Sequence, residues 1–105
     1  MKVEVQYING CQNHVAAVEL IRQVMGEMHV TGDLVETEIK VSENVNTAGF
    51  LGSPTIRVDG VDVEPAARGA SSAGYACRSY LNGAKRQGIP TTEMIRNAIR
   101  HAVGG

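Results

Sequence analysis

Apolar and polar residues alternate along the start of the chain. The apolar positions are Val3, Val5 and Tyr7, and a polar residue separates each from the next. A period of two is typical of a β-strand that buries one face and exposes the other. The chain is therefore predicted to begin with a strand over residues 2–7.

From His14 onward the apolar residues recur at intervals of three and four. The positions that carry this pattern are Val18, Ile21, Met25 and Met28. This spacing places them on one face of an amphipathic helix, because an α-helix turns once in 3.6 residues. The helix is predicted to end near Met28.

A second strand is predicted over residues 34–39, with Glu36 and Glu38 on its polar face. Because a helix joins the two strands, they are expected to pair in parallel. A short helix is predicted next, over residues 42–51, because Ser42 is a favourable N-cap residue.

The stretch "GSPTIRVDGVDVEP" at 52–65 predicts a hairpin. Residues 55–58 form one strand of it and residues 61–63 the other. Asp59-Gly60 between them is a strong signal for a two-residue turn. This hairpin adds two antiparallel strands to the parallel pair.

A last helix is predicted over residues 92–103, since Thr91 can act as its N-cap and apolar residues recur at helical spacing. The segment before it, at about 64–90, is predicted to be an irregular insert. Its parts are a loop at 64–74, one or two helical turns at 75–81 and a second loop at 82–90.

Together these elements predict a single α/β domain over residues 1–105, a four-stranded mixed sheet with flanking helices. A net charge of −1 and an aromatic content of 4% argue against a nucleic-acid partner. No apolar run approaches the roughly 20 residues that a membrane span needs. The start of the chain does not resemble a signal peptide, so a cytoplasmic protein without a membrane partner or a cofactor is expected.

The stretch "NGCQNH" at 9–14 lies where the first strand gives way to the first helix. Cys11 is expected just before the first helical turn, where unpaired N–H groups and the positive end of the helix dipole favour an anion. His14 follows by about one turn, so its ring can approach the sulfur. The alternatives are that Cys11 is a small buried residue and His14 an ordinary polar residue of the first turn.

The second cysteine, Cys77, lies inside the predicted insert. It is either a small core residue beneath the insert or a second thiol brought near Cys11. In a cytoplasmic protein, two cysteines are more often thiols, metal ligands or a redox pair than a structural disulfide. Sequence separation does not decide between these roles.

The chain resembles the thioredoxin superfamily over nearly its whole length, the insert excepted. More narrowly, the stretches "CQNH", "FLGSPTIRVDGVDVEP" and "YACRSY" are similar to small bacterial thioredoxin-like proteins, some of which are linked to alkylmercury lyases. The resemblance implies that Cys11 is the nucleophile and that the Ser53–Pro54 bond is cis. It also implies that the backbone of Ser53 pairs with an extended substrate, beside Pro54 and Thr55.

The chain departs from the family at position 14, where His14 replaces the second cysteine of the C-x-x-C redox motif. Three functional hypotheses follow. Cys11 performs thiol–disulfide exchange with protein or small-molecule thiols and is resolved by Cys77 or an external thiol. Alternatively, Cys11 binds a soft metal ion or an organomercurial with His14 or Cys77. The third hypothesis is a non-catalytic interaction module that keeps the fold.

Overall fold

The strand predicted at the start of the chain is an inner strand of a four-stranded mixed sheet. The structure is a computed structural model that describes residues 1–40, 50–69 and 76–104. The strands of this sheet are β1 (Lys2–Tyr7), β2 (Asp33–Glu38), β3 (Thr55–Val58) and β4 (Val61–Asp62). They lie in the order β2–β1–β3–β4. β1 is parallel to β2 and β4 is antiparallel to β3, as predicted, and β1 pairs with β3 in antiparallel fashion.

Two helices of the described residues pack against this sheet, α1 (His14–Glu27) and α2 (Thr92–Ala102). Both were predicted. The Thr91 hydroxyl accepts a hydrogen bond from the backbone N–H of Met94 at 3.1 Å, so the predicted N-cap is confirmed. α1 contacts β1, α2 contacts β3, and the two helices contact each other. They therefore cover the same face of the sheet.

The hydrophobic core lies between this face and the helices. It contains the buried apolar residues of β1, β3 and both helices: Val3, Val5, Ala17, Val18, Ile21, Val24, Ile56, Val58, Ile95, Ala98 and Ile99. Val63 and Tyr80 complete the cluster from segments that follow the sheet strands. Removal of these side chains from water is the main force that holds the helices on the sheet.

The predicted Asp59-Gly60 turn joins β3 to β4. Both residues have positive φ angles, 50° and 83°, as a two-residue type I′ turn requires. Asp59 also donates its backbone N–H to the carbonyl of Lys2 at 2.8 Å, and its carboxylate accepts from the Lys2 N–H at 2.7 Å. The turn is thereby attached to the first residue of β1.

Helical turns were predicted at 75–81 and a loop at 82–90, but the described residues 76–90 form no helix and contain a β-hairpin, so this prediction is wrong for them. β5 (Tyr80–Asn82) pairs in antiparallel fashion with β6 (Lys85–Gln87). Gly83 opens the turn between them with a φ of 64°. Asn82-Gly83 is a hairpin signal, but the strand residues around the turn are mostly exposed and lack the alternation that a buried strand gives.

Other predicted elements fall partly outside the described residues. Of the short helix predicted at 42–51, residues 42–49 lie outside them, while Phe50 is fully buried and is not helical. Within the predicted loop at 64–74, Pro65–Ala67 form a single 3₁₀ turn. Neither α1 nor α2, the helices of the described part of the chain, is long and apolar enough to span a bilayer.

Candidate functional site

Two successive turns carry Cys11 from the end of β1 to the start of α1. In the first turn, Cys11 donates its backbone N–H to the carbonyl of Ile8 at 3.2 Å, and Gly10 has a φ of 81°. Only glycine adopts this conformation readily, so the "NG" signal marks a tight strand-to-helix connection here. In the second turn, the Cys11 carbonyl accepts from the N–H of His14 at 3.4 Å. Cys11 thus lies three residues before α1, as the sequence predicted, and it is half-buried.

The first turn of α1, next to Cys11, contains no acidic residue of its own. Asn13, the N-cap residue, makes no capping hydrogen bond with its side chain. The first N–H groups of a helix are unpaired within the helix and attract negative charge. An anion on the Cys11 side of α1 is therefore favoured by the local backbone.

The His14 ring is held by two neighbours. Its Nε2 atom lies 2.6 Å from a carboxylate oxygen of Glu36 on β2, and the ring stacks on Tyr7 with centroids 3.6 Å apart and planes inclined by 9°. In the described part of the chain, no hydrogen bond joins this ring to the Cys11 thiol. A direct contact between His14 and the sulfur of Cys11 stays a prediction.

Glu36 is a residue of this site that the sequence did not reveal. Its position on β2 was predicted to be exposed and polar, and its side chain is 39% exposed. The partner that defines its role lies 22 positions earlier in the chain. The parallel register of β1 and β2, which places Glu36 opposite Val5, brings it to His14, and that register cannot be read from either strand alone.

Ser53 hydrogen-bonds to both cysteine-bearing segments. Its backbone N–H donates to the carbonyl of Ala76 at 2.8 Å, and its carbonyl accepts from the N–H of Arg78 at 3.0 Å, so Ser53 and Cys77 form a parallel bridge. Its hydroxyl accepts from the backbone N–H of Ile8 at 3.0 Å. Ile8 in turn binds the N–H of Cys11, so a short series of hydrogen bonds joins the two segments.

The Ser53–Pro54 peptide bond is cis, which confirms the prediction. Thr55, the other residue predicted for substrate binding, is fully buried and donates its hydroxyl to the carbonyl of Gly52 at 2.5 Å. Its hydroxyl also accepts from the N–H of Leu51 at 3.1 Å. Thr55 therefore fixes the chain before β3 and does not present a side chain to solvent.

Cys77 is exposed, so its interpretation as a core residue beneath the insert is wrong. Cys11 is half-buried, and both cysteines are free thiols. Both cysteines therefore lie in segments that are joined through hydrogen bonds of Ser53, and the side chains of both are at least partly exposed to solvent.

A buried ionic cluster fixes the segment that carries Cys77. The guanidinium of Arg78 makes two hydrogen bonds of 2.7 Å to the carboxylate of Asp62, and a third contact of 3.5 Å reaches Glu64. The side chains of Arg78 and Asp62 are each only 4% exposed. Burial acts to lower the pKa of Arg78, but the hydrogen bond to Asp62 and the nearby negative charges outweigh it, so the pKa is raised. Arg78 is therefore charged in the folded protein.

Tyr80 extends this cluster into the core. Its ring is fully buried and lies 4.2 Å below the Arg78 guanidinium, and its hydroxyl donates to the carbonyl of Pro54. Burial raises the pKa of the Tyr80 hydroxyl far above its ordinary value, and the carboxylates of Asp62 and Glu64 add to the rise while the charge of Arg78 opposes it. The phenol is therefore a neutral donor that ties β5 to the residue after Ser53.

Residues 76–88, here called the hairpin lobe, approach the site closely at two glycines. A Cβ atom on Gly52 would lie 2.9 Å from the Cβ of Arg78, and a Cβ on Gly88 would overlap the side chain of Asn13. The lobe therefore contacts both the residue before Ser53 and the residue before α1. Through these contacts the lobe reaches both the Ser53 segment and the N-cap of α1, two residues after Cys11.

Metal ligation by a larger cluster has no support in the described residues, among which no three His, Cys, Asp or Glu side chains are grouped closely enough to hold an ion. A surface cleft of about 380 Å³ lies at the other end of α1, where Met25, Val30 and Leu34 line it, and its lining includes neither cysteine. The chemistry of the site therefore depends on Cys11, Cys77 and the residues around Ser53.

Comparison of the chain with protein-family models, with curated proteins and with solved structures finds no significant match.

Proposed function

We propose that this protein is a thioredoxin-like thiol protein that performs thiol–disulfide exchange, with Cys11 as the attacking thiol and Cys77 as the resolving thiol. The observation that carries this proposal is the hydrogen bonding of Ser53 to the segments of both cysteines. The order of strand, helix, strand, cis-proline, hairpin and final helix supports the thioredoxin-like arrangement.

Cys11 is the better candidate for the attacking thiol. It lies just before the N-terminus of α1, whose own first turn contains no acidic residue, and a thiolate is the form of cysteine that attacks disulfides. Cys77 lies on a backbone bridge to Ser53, and the charge of the neighbouring Arg78 is paired with Asp62. The attack is therefore assigned to Cys11 and the resolving step to Cys77.

The reaction proceeds in two exchanges that conserve electrons. The Cys11 thiolate attacks one sulfur of a disulfide, forms a mixed disulfide and releases the other half as a thiolate. The Cys77 thiolate then attacks the Cys11 sulfur, which forms the Cys11–Cys77 disulfide and releases the second thiolate. The external disulfide is reduced to two thiols while the protein is oxidised, and an external dithiol must reduce the protein for another cycle.

His14 has a supporting role in this mechanism. An imidazole forms no disulfide, so position 14 cannot supply the resolving thiol of a C-x-x-C motif. Glu36 binds Nε2 of the ring, which leaves Nδ1 as the nitrogen available for other interactions. We propose that His14 influences the thiol of Cys11 from this fixed orientation and that Glu36 maintains the orientation.

A two-coordinate soft-metal site is the second candidate function. Thiolates are the preferred ligands of soft ions, and the hydrogen bonds around Ser53 that favour a Cys11–Cys77 disulfide equally favour one ion held between two sulfurs. A tetrahedral site lacks further ligands among the described residues. Both candidates differ from a non-catalytic interaction module in their need for two reactive thiols.

The aromatic disulfide DTNB tests the mechanism directly, because each exchange releases a coloured thiolate. The reduced protein is expected to release two thiolates for each DTNB consumed and to end with an internal disulfide and no adduct, as seen by mass spectrometry. The Cys77→Ser variant is expected to stop at a stable adduct on Cys11, and the Cys11→Ser variant to react more slowly.

Two outcomes would contradict this proposal. Independent labelling of both cysteines in the unmodified protein, with two adducts and no internal disulfide, would rule out Cys77 as the resolving thiol. Equal rates for the two single variants would remove Cys11 from its role as the attacking thiol. Retention of one mercuric ion per protein, lost in either variant, would favour the second candidate function instead.

A further inference from the structure

We propose that the substrates of Cys11 are low-molecular-weight disulfides and that extended polypeptides are excluded, because the hairpin lobe closes the backbone edge beside the site. This inference rests on the proposed function and specifies its substrate class. It starts from the backbone of Ser53, the residue that a substrate strand would have to reach.

The hydrogen-bonding groups of Ser53 are already occupied by the chain itself. A polypeptide that adds to a sheet does so through free N–H and C=O groups on an exposed edge. Here the N–H and the carbonyl of Ser53 are paired with Ala76 and Arg78. Since Cys77 lies between these two partners, the lobe occupies the place of a substrate strand and presents its own cysteine there.

The lobe is anchored too firmly to be displaced by a peptide. The side chain of Arg78 is buried against Asp62 with two hydrogen bonds, and the backbone N–H of Leu81 donates to Glu64 at 3.0 Å. Tyr80 fills the core and binds the Pro54 carbonyl. Lifting residues 76–78 from Ser53 would leave a buried charge without its partner, which is strongly unfavourable.

A second contact closes the approach from the side of α1. Gly88, at the end of the hairpin lobe, packs so closely against the side chain of Asn13 that a Cβ atom there would overlap it. Asn13 is two residues from Cys11. An extended chain crossing the Cys11 turn would therefore meet the lobe at Ser53 and again at Asn13.

A small disulfide avoids both obstacles. It needs only a path to the sulfur of Cys11, which is half-buried and therefore partly open to solvent. After attack, the small thiol that remains on Cys11 is released by Cys77, so the products are two small thiols and the Cys11–Cys77 disulfide. An external dithiol returns the protein to its reduced form.

The test compares two disulfides that differ in size and share a leaving group. The small probe is bis(2-hydroxyethyl) disulfide, and the large one is a ten-residue peptide whose central cysteine carries a mercaptoethanol disulfide. Rate constants for Cys11 are measured in the Cys77→Ser variant, where the first exchange is trapped. The same pair of rates for free glutathione gives the ratio expected of an unobstructed thiol.

The ratio of the rate constant for the small probe to that for the peptide is expected to be at least about tenfold larger for Cys11 than for glutathione. A difference of this size is easily measured. A ratio equal to that of glutathione would overturn the inference and leave the proposed exchange activity intact. Failure of Cys11 to react with either probe would overturn the proposed function and this inference with it.

The Asp62→Asn variant tests whether the lobe is the cause. Loss of the carboxylate charge weakens the anchor of Arg78, so the rate with the peptide is expected to rise relative to the small disulfide. Glu93→Gln, which removes an exposed ion pair with Arg96 on α2, is the matched control and should leave the ratio unchanged. An unchanged ratio in a folded Asp62→Asn protein would contradict the role of the lobe, and if that variant does not fold, the ratio for the native lobe still decides.

Discussion

The two cysteines are positioned by different kinds of interaction. Cys11 is placed by backbone turns that close within three residues, whereas Cys77 is placed by the buried side chain of its neighbour Arg78. Each segment also lies beside an ion pair, but the Arg78–Asp62 pair is 4% exposed on both sides and the His14–Glu36 pair is 18% and 39% exposed. The difference indicates that the position of Cys77 depends on a few distant charges, while that of Cys11 depends on local conformation.

The largest expected effect is the loss of the buried pair. Asp62→Ala leaves the Arg78 charge buried without its partner, and such a loss costs about 3–5 kcal/mol in the free energy of unfolding. Urea denaturation measures it. The control Glu93→Ala removes an exposed pair, which typically contributes less than about 1 kcal/mol. A similar small loss for Asp62→Ala would show that the cluster does not anchor the hairpin lobe.

Two glycine variants compare the two sides of the site more directly. Gly10 has a φ of 81° and open space around it, so Gly10→Ala should cost about 1–2 kcal/mol through backbone strain alone. Gly52 has a φ of 110°, and a Cβ there would also press on Arg78 at 2.9 Å, so Gly52→Ala should cost clearly more. Equal losses in thermal or urea unfolding would mean that the lobe yields easily at this contact.

The alkaline limb of the stability curve should report on Tyr80. Because its pKa is raised in the folded state, the folded protein keeps a proton that the unfolded chain releases near the ordinary tyrosine pKa of about 10. This stabilisation is complete below pH 10 and is lost as the pH rises further. The free energy of unfolding should fall less steeply above pH 10 in the Tyr80→Phe variant, and parallel curves for both proteins would contradict the assignment.

The smallest expected effect concerns the exposed pair beside Cys11. Glu36→Gln removes the charge that faces His14, but the ring stays stacked on Tyr7 and the amide can still hydrogen-bond. Exposed pairs contribute less than about 1 kcal/mol, so the change in the free energy of unfolding should stay below that value. A loss as large as that of Asp62→Ala would mean that the two ion pairs do not differ as their burial indicates.

The sequence predicted the elements that are defined by their own residues. Asp59-Gly60 joins two strands that have apolar faces, and Thr91 precedes a helix with a clear apolar stripe. Asn82-Gly83 carries the same type of signal, but its flanking residues are exposed and gave no strand pattern. A turn signal therefore predicted a hairpin only where the adjoining strands are buried and show an apolar pattern in the sequence.

The sequence predicted the position of Cys11 before α1 and the cis bond at Pro54, where local turns and a short motif define the chain. The role of Arg78 was missed because its carboxylate partners lie 14 and 16 positions away and only the folded chain brings them together. Glu36 was missed for a similar reason, since strand register decides which residue faces His14. The roles of Arg78 and Glu36 depend on contacts between residues that are distant in the chain. The pattern of residues within one segment cannot predict such contacts.

The outer strand β2 has a consequence for how molecules of this protein meet one another. In the described part of the chain, β2 has a neighbour on only one side, and three of its six residues are the exposed acids Asp33, Glu36 and Glu38. A second copy that tried to extend the sheet at this edge would bring carboxylates against carboxylates. Charges placed along an outer strand in this way discourage edge-to-edge aggregation, so the acidic sequence of β2 protects the sheet on its unpaired side.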